Sequence, residues 1–336
     1  MGFGDMSLYK KYYMLHKLIW DIKRGDNFYP IGADFRSTEL GEYYFVFDEG
    51  RVRHGKDQAL ITDFDENGIP LNSTYIDVAE KRLIYFPISI GQLGLAVYHS
   101  YLHSGQTVDL QRFLKFADWF VDNADLDDKL GVRWFTNVEL PAYRNLGPWQ
   151  SAFAQGRGIS ILLRAYQETK NEQYAEYAQK ALISFLYEPR DGGVTSRTKW
   201  GPFYEEYTAA IPTLVFNGHI FSLFGLIDFN RVFPDHERCR ELVNQGYATI
   251  LNCIPDFDLG YWTRYNYCQA EFYPLIDPAT LNYQRLHVLL LKTMNKFRYS
   301  ESLDNYIRRW HKQINPFNYI KASLVKYQAL KKLNRI

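Results

Sequence analysis

From Ile88 onward the apolar residues recur at helical spacing almost without a break, and this periodicity constrains the fold more than any other feature. Candidate helices fall at 88–103, 107–124, 151–169, 172–187, 217–231, 235–252, 281–297, 301–313 and 317–333. Most follow one another as short-looped pairs. Thr107 or Asp109 is placed to cap the second, and Asn171 stands where the fourth begins. In 151–169, Phe153, Gly156, Ile159, Leu163 and Tyr166 fall near one stripe. Upstream, Tyr43–Phe47 and Ala59–Thr62 read as β-like runs, with turn signals at Glu49-Gly50 and Glu66-Asn67-Gly68. That is room for a small hairpin or sheet. The expected fold is mainly α, an α/α toroid or incomplete α/α barrel. Residues 1–80 would form an amphipathic extension and the small β region, and 81–336 the helical domain.

Three long segments, 125–150, 188–216 and 254–280, interrupt the helices and are dense in Trp, Tyr, Arg and Asn. Long irregular connections in compact domains usually carry function. The second holds Trp200-Gly-Pro-Phe-Tyr-Glu-Glu-Tyr207, followed by Phe216-Asn-Gly-His219. Two carboxylates and two phenols in four consecutive positions suit the wall of a pocket for a polar ligand. Aromatics make up 17% of the chain, with 27 Tyr, which fits stacking on sugar rings as well as core packing.

The net charge of +1 gives no bulk attraction to nucleic acid or an anionic membrane, so an anionic ligand needs a local cluster of cations. Cys239, Cys253 and Cys268 fit no zinc spacing and read as inert buried thiols. Lys10, Lys11 and Lys17 interrupt any apolar signal region, and Met6 spoils the myristoylation pattern begun by Gly2. The apolar run 83–102 contains Pro87, Gln92 and His99 and reads as a buried helix. The expectation is a soluble, cytoplasmic protein. No dinucleotide fingerprint or metal-ligand cluster stands out, so the chemistry is expected to need no cofactor and no metal.

Taken in order, Tyr85-Phe-Pro-Ile-Ser-Ile-Gly-Gln-Leu-Gly94, Trp149-Gln-Ser-Ala-Phe-Ala-Gln-Gly-Arg-Gly-Ile-Ser160, Leu163-Arg-Ala-Tyr166, Tyr204-Glu-Glu-Tyr207 and Phe216-Asn-Gly218 resemble the motifs of the heparosan glucuronyl C5-epimerases. The resemblance covers residues 65–313. It implies a small β region before an α/α barrel, a homodimer, and epimerisation of D-glucuronate to L-iduronate within an anionic polysaccharide. By position the family's catalytic groups fall on Glu206, Tyr207, Tyr261 and Tyr283, and its substrate contacts on Gln92, Asn217 and Arg264. His287 also matches, either polarising Tyr283 or filling a core site. Phe86 replaces a family Tyr, leaving the adjacent Tyr85 as the available phenol. Phe221 loses another hydroxyl, Ser89 replaces a Gln, and the loop 277–286 diverges at Thr280 and Arg285. Arg144 and Glu139, in the aromatic loop 137–149, are placed near flanking sugars by neighbourhood.

The proposed chemistry explains these residue types. Removing a proton α to a carboxylate builds up negative charge, which a cation or strong donors must hold. Arg264 offers a fork that suits two carboxylate oxygens, and Asn217 a neutral donor. Glu206 and Tyr283 are expected to serve the two faces of C5. Tyr261 would support the carbanion or relay a proton, and Tyr207 would position the sugar. A uronate polysaccharide lyase shares the first step, and a non-catalytic glycan-binding protein would keep the aromatic platforms. A glycoside hydrolase needs two suitably separated acids, whereas Glu205 and Glu206 are adjacent.

Overall fold

The structure is a computed structural model that describes residues 12, 16, 19–23, 29–54 and 61–336. Gly2, Met6, Lys10, Lys11, Lys17, much of the expected extension, and residues 59 and 60 lie outside that set.

Each segment with helical spacing forms a helix. After the short α1 (Glu49–Arg53) come α2 (Pro87–Ser104), α3 (Thr107–Asp122), α4 (Ala152–Thr169), α5 (Glu172–Ala181), α6 (Phe216–Val232), α7 (Glu237–Phe257), α8 (Leu281–Phe297), α9 (Glu301–Gln313) and α10 (Pro316–Lys332). Local chemistry sets their ends. Pro87 opens α2, where its missing N–H costs nothing, and Gly105 closes it at φ 63°. The Ser151 hydroxyl accepts from Phe153 N and Ala154 N to start α4, and Asn171 caps α5 as expected. Neither Thr107 nor Asp109 caps α3. The residue there is Gln106, without a side-chain bond, and Asp109 takes the Ser104 hydroxyl and Arg112 instead.

Two helix lengths depart from expectation. Helix α5 stops at Ala181 and gives way to a 3₁₀ turn, Ile183–Leu186. The Ala181 carbonyl accepts from Gln155 Nε2, and the Ser184 carbonyl from Val194 N, so both serve other elements. Helix α7 runs through Pro255 to Phe257, keeping Ile254 and Phe257 in the core.

The small sheet is three antiparallel strands, β1 (Ile61–Phe64), β2 (Pro70–Ser73) and β3 (Leu83–Tyr85), with a bulge between Ile61 and Asp63. Tyr43–Phe47 is not a strand, and only Phe45 bridges, to Ile31. Tyr43 N donates to His99 Nε2 at 3.0 Å and His99 Nδ1 donates to Phe47 O at 3.2 Å, so the run is tied to a side chain of α2 rather than to a neighbouring strand. Strand pairs that the sequence did not suggest lie in the irregular segments: β4 (Asp125–Asp127) with β5 (Gly131–Arg133), β6 (Phe135–Thr136) with β7 (Trp149–Gln150), and β8 (Thr195–Thr198) with β9 (Gly201–Tyr204).

The helices form two layers. Helices α2, α4, α6 and α8 pack in succession, while α3, α5, α7 and α9 each cover the one before them. The sequence explains the division, because α4 and α6 are buried on nearly every side and the covering helices on one face. Where α4 crosses α6, a Cβ on Gly225 would stand 2.3 Å from Gly156 Cα. The pair of glycines therefore permits backbone contact. Tyr43, Tyr44 and Phe45 join this same core. The Tyr44 hydroxyl donates to Asp228 Oδ1 at 2.9 Å, and Arg164 Nη1 pairs with Asp228 Oδ2 at 2.7 Å, wholly buried. All three cysteines are free and buried, as expected. Among the described residues no helix is long and apolar enough to cross a membrane.

Candidate active site

The hairpin β8–β9 ends at Tyr204, and the next two residues diverge. Glu205 turns inward and accepts from Ser196 Oγ (2.5 Å), Thr213 Oγ1 (2.7 Å), Leu214 N (2.9 Å) and Thr213 N (3.2 Å). That carboxylate is fully used in holding the loop. Glu206 lies against the first turn of α6, where Asn217 Nδ2 donates to its Oε2 at 2.9 Å. A Cβ at position 218 would meet Glu206 Cβ at 2.3 Å, so Gly218 makes the seat. His219 completes the motif as a structural piece. Its Nδ1 accepts from Tyr204 N at 2.8 Å, and its Nε2 meets Gly246 O at 3.0 Å.

Phenols gather around Glu206. Tyr207 hydrogen-bonds to it, and Tyr265 shares a hydrogen bond with Tyr207. The Tyr265 and Tyr283 rings meet edge to face at 5.1 Å. Tyr75, from the turn between β2 and β3, acts on the same group electrostatically, and its hydroxyl is buried without a partner, as is Asn217 Oδ1. Glu206 is buried while Tyr75, Tyr207, Tyr265 and Tyr283 are half-buried, so the acid forms the floor and the phenols the walls.

The electrostatics assign roles. Burial pushes the Glu206 carboxyl up to about 7, against the bonds from Tyr207 and Asn217 that pull it down. Burial, and then the charge on Glu206, hold Tyr75, Tyr207 and Tyr283 well above the ordinary phenol value, and Tyr265 likewise. Near neutral pH this is a poised carboxylate among protonated phenols, a base beside acids.

The expected residues divide by place. Glu206, Tyr207, Tyr283 and Asn217 converge. Tyr261 packs on Trp262, Ala279, Leu281 and Ala322, a group that Tyr283 also touches, and lies under Lys321 Nζ at 4.0 Å, while Tyr265, four residues on, meets the Tyr283 ring edge to face. Arg264 spends its fork on backbone, Nε to Asp256 O (3.2 Å) and Nη1 to Leu275 O (2.8 Å). It lines a surface cleft of about 280 Å³ with Tyr267, Glu271, Tyr273 and Lys332. His287 lies in the core between Phe216 and Trp310, its Nδ1 2.8 Å from Thr263 Oγ1, and burial lowers its pKa to about 3. Gln92 donates to the Tyr29 hydroxyl at 3.2 Å. Tyr85 is exposed and donates to Asp65 Oδ2 at 2.8 Å, in a second cleft with Asp118 and Asp122. Arg144 is exposed over the Phe272 ring. Gln155 is structural, linking Trp134 N and Val132 O to α4.

Tyr75 and Tyr265 are the members of the cluster that sequence reasoning missed. Phe86 gave one signal. Its ring sits 6.2 Å from that of Tyr75, which brings a phenol from the β2–β3 turn toward the position where the resemblance expects a Tyr.

A carboxylate held near neutrality among protonated phenols, on a layered helical frame, can take a proton from a polar ligand and give one back. The comparisons narrow that chemistry. Residues 127–312 match the profile of the D-glucuronyl C5-epimerase C-terminus. Over 213 residues the chain is 33% identical to the D-glucuronyl C5-epimerase of Caenorhabditis elegans, covering 59% of this chain and 34% of the worm protein. It is 25% identical over 212 residues to an uncharacterised protein of Methanocaldococcus jannaschii, covering 60% of this chain and 66% of that one. The chain belongs to the D-glucuronyl C5-epimerase family.

Proposed function

We propose that the protein epimerises D-glucuronate to L-iduronate within a heparosan-type polysaccharide, without cofactor or metal, on an incomplete α/α toroid formed by its two helical layers. The carrying observation is Glu206, raised to about 7 in a ring of protonated phenols. In the forward direction the Glu206 carboxylate takes the C5 proton. The C–H electron pair becomes a carbanion delocalised into the sugar's carboxylate. The Tyr283 hydroxyl then gives its proton to the opposite face and is left as phenolate. Exchange with solvent then takes the proton from Glu206 and returns one to the Tyr283 phenolate, which restores both groups for the next turnover. Asn217 fixes the orientation of Glu206, and Tyr75 brings an unsatisfied hydroxyl to the sugar. The resemblance also supports a homodimer, with the polysaccharide as the ligand and no role for nucleic acid or membrane.

Incubation with heparosan tests the reaction. Iduronate signals in the proton spectrum of a chain of unchanged length are expected. Ultraviolet absorbance from an unsaturated uronate with falling chain length would instead indicate a lyase, and binding without either change a glycan-binding protein.

A further inference from the structure

The sequence nominated Arg264 for the sugar carboxylate, and its fork is committed elsewhere. Another guanidinium, that of Arg335, pairs with Asp77, two residues after Tyr75 in the same loop. Helix α10 lies beyond residue 312, outside the stretch that matches the family profile. Its seat over the site is built from several contacts. Lys326 Nζ pairs with Asp277 Oδ1 at 2.6 Å and stands 5.3 Å from the centre of the Tyr265 ring. Lys332 Nζ donates to Tyr273 O at 2.8 Å. Ala322 packs with Trp262, and Leu333 against the main core. The chain then turns, Arg335 N donating to Leu330 O at 2.9 Å, and this turn directs the Arg335 side chain to the loop that carries Tyr75. There Nε pairs with Asp77 Oδ2 at 3.1 Å, with the Arg335 side chain 33% exposed and that of Asp77 8%. Its charge opposes the burial that raises Tyr75 and Tyr283, and its own pKa is raised, against burial, by Asp77 first and then by Tyr265, Tyr273 and Asp277.

We infer that Arg335 is the substrate-binding residue that receives the uronate carboxylate, delivered by a helix outside the matched part of the chain. The inference rests on the glucuronate reading above. Asp77 holds one edge of the guanidinium, and among the described residues the two terminal nitrogens have no other partner. They form the planar pair of donors that a carboxylate takes bidentately. A lysine there would keep the charge and lose the fork. Holding the carboxylate beside Tyr283 and Tyr75 places charge stabilisation where the C5 electron pair develops. Lys326, over Tyr265, adds a second positive charge to the same wall.

The test is C5 deuterium exchange into heparosan for the wild type, Arg335→Gln, Arg335→Lys and Asp77→Asn, with kcat and KM separated and folding checked by urea midpoint. The expected result is a kcat/KM lower by roughly tenfold or more for Arg335→Gln, partly restored in Arg335→Lys, with a smaller loss in Asp77→Asn. A merely structural anchor would make Asp77→Asn as damaging as Arg335→Gln and leave Arg335→Lys unrescued, which overturns the inference. Wild-type exchange that survives intact in Arg335→Gln overturns it as well. A wild-type protein that exchanges nothing overturns the epimerase reading first, and this inference with it.

Discussion

Glu205 and Glu206 show how two adjacent, identical side chains acquire different work. Each is raised to about 7 by burial. Glu205 receives four hydrogen bonds from Ser196, Thr213 and Leu214, whereas Glu206 faces phenols and one amide. Glu206→Gln is therefore expected to lower C5 exchange by roughly 10²–10⁴-fold with little change in the urea midpoint. Glu205→Ala leaves buried donors unpaired and is expected to cost about 1–3 kcal/mol or more in stability by urea denaturation. The acid at 206 works as a base only when ionised. The pH profile of kcat/KM is thus expected to rise with pH through about 7 in the wild type, and a flat profile there would point to another base. The pattern Tyr-Glu-Glu-Tyr was legible as a pocket wall, whereas Asn217, expected to donate to the sugar carboxylate, donates to Glu206 instead. Tyr265 was not, because 258–266 is irregular backbone with no period to say which of its tyrosines turns inward. Tyr75 and Arg335 come from distant parts of the chain, and only folding brings them to the cluster.

At the scale of elements, the helices were legible because their apolar residues repeat at the helical period over a dozen or more positions. The pairs β4–β5 and β6–β7 are two or three residues long, too short for alternation to register. Tyr43–Phe47 has strand-like composition, yet Tyr43 N and Phe47 O bond to the ring of His99, a partner that no local pattern announces. The crossing of α4 and α6 sets the position of Asn217 and Gly218 relative to the loop below them. A methyl group on Gly225 would stand 2.3 Å from both Cα and O of Gly156. Because those contacts are backbone, Gly225→Ala is expected to force the helices apart and cost about 1–3 kcal/mol. Thermal denaturation checks this, and an unchanged midpoint would mean that the crossing is slack.

Across the whole molecule, buried titratable groups link stability to pH with opposing signs. Burial lowers His99 to about 3, His219 to about 4 and His287 to about 3, from an ordinary 6.5. Their contribution is complete above 6.5 and is lost as the pH falls. Glu205 and Glu206 are raised from 4.5 to about 7, so theirs is complete below 4.5 and is lost as the pH rises through 7. Between about 4.5 and 6.5 three histidines outweigh two glutamates by one proton, which is about 1.4 kcal/mol per pH unit. The urea midpoint is expected to be lower at pH 5 than at pH 6.5 and to level off near neutrality. A midpoint that climbs on acidification would mean that these histidines are solvated. The succession of helix pairs followed from the sequence pattern, and the burial of α4 and α6 on nearly every side places them inside. The convergence of α10 on the site did not, because its own moderately apolar sequence does not specify the surface on which it settles.

The most direct measurement is proton NMR of heparosan incubated with the protein in heavy water. The account requires deuterium to replace hydrogen at C5 of the uronate while chain length stays constant, with exchange falling by roughly 10²–10⁴-fold in Glu206→Gln and iduronate formation falling likewise in Tyr283→Phe. Wild-type exchange in Glu206→Gln, wild-type iduronate formation in Tyr283→Phe, or no deuterium at C5 in the wild type would contradict it.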